Sequence, residues 1–234
     1  MKKLLTIVVY GQSDDGKNDT IYDQIELIYA DGGLQSAVKQ AKGKYVLIEN
    51  RTFLFNDVQP FLNALDTATQ DVIRFNGANA YKSTLFKGVA DNGDCFAFCT
   101  SAAFNAKTVG YFEYAPFTFS AADWNYEKEE TGLLQVCREF KRVKAKLSKE
   151  VYAFSFDLIC DRLQLFYTHA LLVIRAKTIL AEQLSEFDKN LKDEIVLYLA
   201  LDKRFDGGKL SKIRKKGFKI SYFTARRYKK LLKN

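Results

Sequence analysis

Proline, histidine, tryptophan and methionine are scarce in this chain of 234 residues. It has two prolines (Pro60 and Pro116), one histidine (His169), one tryptophan (Trp124) and one methionine (Met1). With so little proline, no internal repeat and no low-complexity stretch, no linker between independent domains is visible. A single histidine, with no nucleophile motif near it, excludes histidine-dependent triads in practice. Set between Tyr167 and Leu171 in an apolar pattern, His169 reads as a core or interface residue. Long apolar runs are missing too. The most apolar stretch, Leu163 to Ile174, is closed by Arg162 and Arg175, and its twelve residues fall short of the ~20 that cross a bilayer. The opening Met1-Lys2-Lys3 and the run that follows have a signal-peptide flavour. That run ends at Tyr10, is broken by Thr6 and leads to no small-residue cleavage site, so a buried first strand is the better reading. A cytoplasmic protein, with the inner face of the membrane as the alternative place, is the resulting expectation. Without an export signal, the four cysteines (Cys95, Cys99, Cys137 and Cys160) read as small core hydrophobes rather than a disulfide framework.

What is present is a globular composition, 47% hydrophobic and 27% charged, in a length that fits one large domain or one domain with a helical appendage. The charge is uneven. Residues 206–234 hold eleven Lys or Arg against one Asp, a charge of +10, while the whole chain carries +8, so everything before that tail nets −2. The basic character belongs to the tail. Its cations alternate with Phe218, Tyr222, Phe223, Tyr228, Leu231 and Leu232, a mixture that suits an anionic membrane surface or non-specific phosphate contact, or a solvated capping helix.

Periodicity predicts the elements. Leu4 to Tyr10 is a continuous apolar strand, as in a parallel sheet buried on both faces. Further strands are predicted at Ile25–Tyr29, Tyr45–Ile48 and Asp71–Phe75. Helices fall at Leu34–Lys42, closed by Gly43, and from an Asp57 cap through Leu65. Strands alternating with helices indicate a mainly parallel α/β sheet. From Tyr81 to Phe119 the short aromatic runs suggest mixed or antiparallel sheet, with Cys95 and Cys99 on one face of a strand in DCFAFCT. Helices follow at 127–147, with Leu133, Val136, Cys137, Phe140, Val143 and Leu147 on one stripe, then at about 157–185 and 191–204. The organisation predicted is an α/β domain at 1–150 and a helical extension at 151–234 that ends in the basic tail.

Three strings carry a resemblance: VVYG at 8–11, YADGG at 29–33 and, most specific, AKGKYVLIENRTFLF at 41–55, followed by NDVQPFLNAL and DVIRFNG. In order and content they resemble the family 2 glycosyltransferases of the GT-A fold. The likeness covers about residues 4–77, and 81–125 loosely. It implies a mixed, mainly parallel sheet with helices on both faces, and a nucleotide-diphosphate sugar, UDP-sugar foremost, bound at the C-terminal ends of the first strands. Asp31 would hold the nucleotide, with Tyr10 and Gly11 lining the pocket. The acceptor would be a glycan or a lipid-linked sugar. Asp123, in SAADWNYE, would be the general base that takes the acceptor proton, with Asp91 and Asp94 as alternatives.

Departures from the family are as informative. Its Asp-X-Asp motif, which places Mn²⁺ or Mg²⁺ on the diphosphate, falls on Glu49-Asn50-Arg51 or Asn50-Arg51-Thr52, where Glu49 is the only carboxylate. No tight metal site is expected. The segment between the first two strands is too short for a helical crossover, and a strand before AKGKY is skipped. Structural readings stand beside the functional ones: Asp31 as a turn residue, Arg51 as a surface arginine, and Asp123 or Asn125 as the cap of an acidic helix start. Two functions therefore remain open at this level, a sugar transferase and a catalytically silent relative that partners an active one. A nucleic-acid module acting through the tail is a third, lesser reading, and no specific nucleic acid is expected.

Overall fold

Short apolar runs, two of them buried at every position, build a six-stranded sheet in the computed structural model, which describes residues 2–11, 22–30, 33–51, 53–75, 78–119, 125–173, 178–205 and 208–218. The elements in chain order are β1 (Leu5–Val9), β2 (Ile25–Tyr29), α1 (Leu34–Gln40), β3 (Tyr45–Glu49), β4 (Phe53–Phe55), α2 (Gln59–Thr67), β5 (Val72–Phe75), β6 (Ala78–Lys82), α3 (Cys95–Ala103), β7 (Val109–Phe112) and β8 (Phe117–Phe119). The helical remainder is α4 (Tyr126–Val143), α5 (Lys149–Val173), α6 (Thr178–Leu191), α7 (Ile195–Arg204) and α8 (Lys209–Lys215). The sheet order is β2-β1-β3-β6-β5-β7, and a separate ribbon pairs β4 with β8. Only β6 runs against its neighbours, as the return strand of a hairpin in which Phe75 pairs with Ala78. The chain is thus mixed α/β with a mostly parallel sheet.

Two compact units divide the chain. One holds residues 1–123 and 146–154, the other 124–145 and 155–234. In the first, side chains alternate across the sheet. Leu5, Ile7, Val9, Tyr45, Leu47, Ile73 and Phe75 face Phe61, Leu62 and Leu65 of α2 and the ribbon's Phe53 and Phe117. Phe61 meets Phe75 at 4.7 Å between ring centroids, inside a wider set of tilted aromatic contacts. On the opposite face, Tyr81 of β6 meets Phe86 at 5.8 Å, and Phe86 stacks on Phe98 of α3 at 5.1 Å.

The AKGKY string explains itself in this unit. A Cβ on Gly43 would lie 2.5 Å from the Thr6 backbone nitrogen, so only glycine lets this turn close on β1. The Gly43 N–H donates to Thr6 Oγ1 at 2.9 Å, and Thr6 Oγ1 donates to Glu26 at 2.7 Å. Lys44 Nζ donates to the carbonyls of Leu65, Asp66 and Ala68, neutralising the C-terminal end of α2. The Tyr45 hydroxyl donates to the Gln70 carbonyl at 2.7 Å. One string therefore ties β1, β2, α2 and the entry to β5 together.

Several boundaries differ from expectation. DCFAFCT is the helix α3, not a strand. A short apolar run is ambiguous by period alone, and Asp94 decides it by capping the helix, its carboxylate accepting from Ala97 N at 2.6 Å. Cys95 and Cys99 still share a face, now at helical spacing. Val58, not Asp57, holds the N-cap position of α2, although Asp57 accepts from Gln59 N at 3.3 Å. Where a helix is expected at 157–185, α5 covers Lys149–Val173 and α6 Thr178–Leu191, and residues 174–177 lie outside the described residues. α5 starts earlier because Ser148 caps it, accepting from Val151 N.

In the second unit, Leu133, Val136, Cys137 and Phe140 of α4 form the buried stripe, with Asn125 as cap, accepting from Lys128 N at 3.1 Å. Arg214 of α8 is sunk among its neighbours. Its Nε lies 2.6 Å from Asp188 Oδ1, its Nη1 donates to Asp202 at 2.6 Å, and its guanidinium covers the Tyr198 ring at 4.1 Å. Among the described residues, no helix is long and apolar enough to cross a membrane.

Candidate functional site

The parallel strands β2, β1 and β3 end side by side. Their ladder runs one residue further, with Ala30 N donating to the Val9 carbonyl and Tyr10 N to the Glu49 carbonyl, each at 2.9 Å. Tyr10 and Glu49 thus stand at the C-terminal rim of neighbouring strands, where α/β sheets open a crevice. Gly11 follows with a φ of 72°, in the left-handed region that glycine adopts without strain.

Glu49 is 4% exposed, and its carboxylate is fully engaged. Oε1 accepts from Asn50 N at 3.0 Å, Arg51 N at 3.1 Å and Arg51 Nε at 2.7 Å, and Oε2 accepts from Arg51 Nη2 at 2.6 Å. The guanidinium grips both oxygens in a fork while two backbone N–H groups hold the same carboxylate from below. Arg51 is therefore not a solvated surface arginine. It is fixed over the end of β3 by the residue two positions before it.

The loop before α3 closes on the same rim. The Tyr10 hydroxyl lies 3.3 Å from where a Cβ on Gly93 would stand. Burial raises the Tyr10 phenol above its ordinary value, and Cys95, Asp91 and Asp94 push it the same way. Burial holds the Cys99 thiol well above its usual range, with Cys95, Glu49 and Asp94 adding to the effect. Asp91 Oδ2 accepts from Gln35 N of α1 at 2.9 Å, and its Oδ1 from Gly93 N at 3.0 Å. Both candidate alternatives for a base, Asp91 and Asp94, are thereby committed to capping helices.

No family model, curated protein or solved structure matches this chain.

The site is accordingly read from its own residues. The structure brings together Tyr10, Gly11, Glu49, Asn50 and Arg51 of the predicted set. Asp31 and Asp123, with Trp124, lie outside the described residues. Sequence reasoning gave Asp91 and Asp94 only as substitutes and placed Cys95 and Cys99 elsewhere. The usable signal was the Asn92-Gly93-Asp94 turn, which both caps α3 and folds back on Tyr10. A divalent metal, which the resemblance implies, finds no fitting set. Both Glu49 oxygens are occupied by nitrogen donors, and among the described residues no three His, Cys, Asp or Glu side chains gather to hold an ion. His169 sits half-buried on α5 in the other unit, its imidazole held below its ordinary value by burial and by the nearby Arg162.

Proposed function

We propose that the chain is a family 2-like glycosyltransferase of GT-A type, which moves a sugar from a UDP-sugar to a glycan or lipid-linked acceptor. The observation that carries this reading is the Arg51 guanidinium held by Glu49 at the C-terminal rim of the parallel strands, within the segment where the resemblance puts its metal motif. The mixed, mostly parallel sheet and the tight structural logic of the AKGKY string support the same reading.

The chemistry asked of the site is a displacement at the anomeric carbon. An acceptor oxygen forms the new bond, the bond to the diphosphate breaks, and the acceptor proton passes to a base, the role given to Asp123. The departing diphosphate gathers negative charge and needs a partner cation. Arg51 supplies it by swinging from Glu49, and Glu49 keeps its two backbone N–H donors when it does so. The swing leaves buried Glu49 without its cation, a cost that the new charge-assisted fork on the diphosphate has to offset. Asp31 would contact the ribose or base beside Tyr10 and Gly11.

One observation favours a second reading, a silent relative that binds a partner transferase. Glu49, the one carboxylate where the resemblance puts its acidic pair, is already held by Arg51, while Asp91 and Asp94 accept from backbone N–H groups of α1 and α3. Calorimetric titration with UDP, UDP-glucose and UDP-galactose, with and without Mn²⁺, separates the two. Micromolar, metal-independent binding that weakens at least tenfold in Arg51→Met supports the transferase. No heat with any donor in either condition selects the silent relative, and binding only with Mn²⁺ contradicts the role given to Arg51.

A further inference from the structure

We infer that the solvent face of α7, together with the lysines of α8, docks the second unit on an anionic phospholipid surface. The inference is independent of the donor site. Three large apolar side chains stand out in water on one short helix: Ile195 is 54% exposed, Val196 39% and Leu199 51%. They fall at i, i+1 and i+4, one stripe of α7, while Leu197 and Leu201 fill the core from the other side. The stripe continues into exposed Lys203, four residues past Leu199.

Beside it, α8 adds charge without adding acid. Its inward side is fixed by Leu210, Ile213 and Arg214, and Arg214 takes up Asp188 and Asp202. Arg204 takes up Asp157 and Asp161. These four carboxylates are thereby neutralised from within, and exposed Asp193, two residues before Ile195, stands beside exposed Lys192. Among the described residues, Lys203, Lys212, Lys215 and Lys216 make no ion pair, and all four are exposed.

An apolar stripe flanked by unpaired lysines is the pattern of a helix lying in a membrane interface, with side chains in the acyl boundary and ammonium groups among anionic headgroups. Charge decides among the occupants. A second copy would bring the same lysines against these and repel them. Nucleic acid would satisfy the lysines and leave Ile195, Val196 and Leu199 in water.

The test is co-sedimentation of the full chain with vesicles of phosphatidylcholine alone and of phosphatidylcholine with phosphatidylglycerol. Binding is expected only to the anionic vesicles, weakened by salt. Ile195→Ser/Leu199→Ser is expected to lower the partition coefficient at least tenfold by removing the inserted surface. Lys212→Gln/Lys215→Gln is expected to lower it about twenty-fivefold at low salt, at about fivefold per cation. All four positions are exposed, so both variants should keep the parent's circular dichroism spectrum. The inference is overturned by absence of vesicle binding, by equal binding to neutral vesicles, or by a serine variant that binds like the parent. It is also overturned by a dimer or a duplex-DNA complex that the serine variant abolishes.

Discussion

Replacing Gly43 with alanine adds one methyl group, and the structure fixes what that group meets. The new Cβ would stand 2.5 Å from Thr6 N, 2.7 Å from the Leu5 carbonyl carbon and 2.7 Å from Thr6 Oγ1. Two of these three atoms are backbone in a buried central strand, so they cannot turn aside. The 41–44 turn must instead retreat from β1 by roughly 1 Å, which is more than packed interiors absorb without loss. That movement stretches the bonds from Gly43 N to Thr6 Oγ1 (2.9 Å), from Lys42 N to Glu26 Oε2 (2.9 Å) and from Tyr45 N to the Leu4 carbonyl (3.0 Å). At about 1 kcal/mol net for each bond weakened, together with overpacking, Gly43→Ala should destabilise the first unit by about 3 kcal/mol. Gly110→Ala is the control, because its Cβ meets only the Ile73 and Gln70 side chains, at 3.1 and 3.2 Å, and these can rotate away. Its expected cost is under about 1 kcal/mol. Amide hydrogen exchange in β1 and β3 under native conditions reads both variants. A Gly43→Ala protein whose β1 amides exchange as slowly as the parent's would refute the close-approach reasoning.

Three further outcomes follow from the same packing. Asp71 accepts from Lys82 Nζ at 2.9 Å and from Lys107 N at 2.8 Å. Burial raises its carboxyl, but the Lys82 hydrogen bond, the Lys107 N–H, the Lys82 charge and the Thr108 backbone N–H together bring it below its ordinary value. A carboxyl depressed in the fold stabilises above its unfolded value and loses that contribution as pH falls through the folded one. Asp71→Asn should therefore be less stable than the parent at pH 7, with the gap closing below about pH 4 in urea titrations. Arg214→Met leaves Asp188 buried without its cation and should cost about 3 kcal/mol, read as early loss of amide protection in α8. Asn125→Ala removes the cap of α4 and should cost about 1 kcal/mol by thermal melting.

Legibility in the sequence followed the range of the interactions. β1, β2, β3 and β5 were readable because each is an apolar run set by local pattern, and Asn125 was readable as a cap because its partner is three residues away. α3 was misread because Cys, Phe and Ala alternate as well in a strand as in a helix, and the deciding Asp94 cap was passed over. The contacts among the candidate site residues are not legible in the sequence. That Glu49 holds Arg51 depends on the chain turning back at the end of β3, and that Asp91 reaches Gln35, fifty-six residues away, depends on the whole sheet being formed. That Lys44 closes the C-terminal end of α2, some twenty residues on, likewise depends on the fold.

The central claim is that a UDP-sugar enters at the ends of β1 and β3. It is tested most directly by the amide NMR spectrum of the labelled protein during titration with UDP-glucose. The account predicts shifts concentrated at Tyr10, Gly11 and Glu49 to Arg51, lost in Arg51→Met while the rest of the spectrum is retained. Shifts confined to other surfaces, or none at millimolar donor, would contradict it.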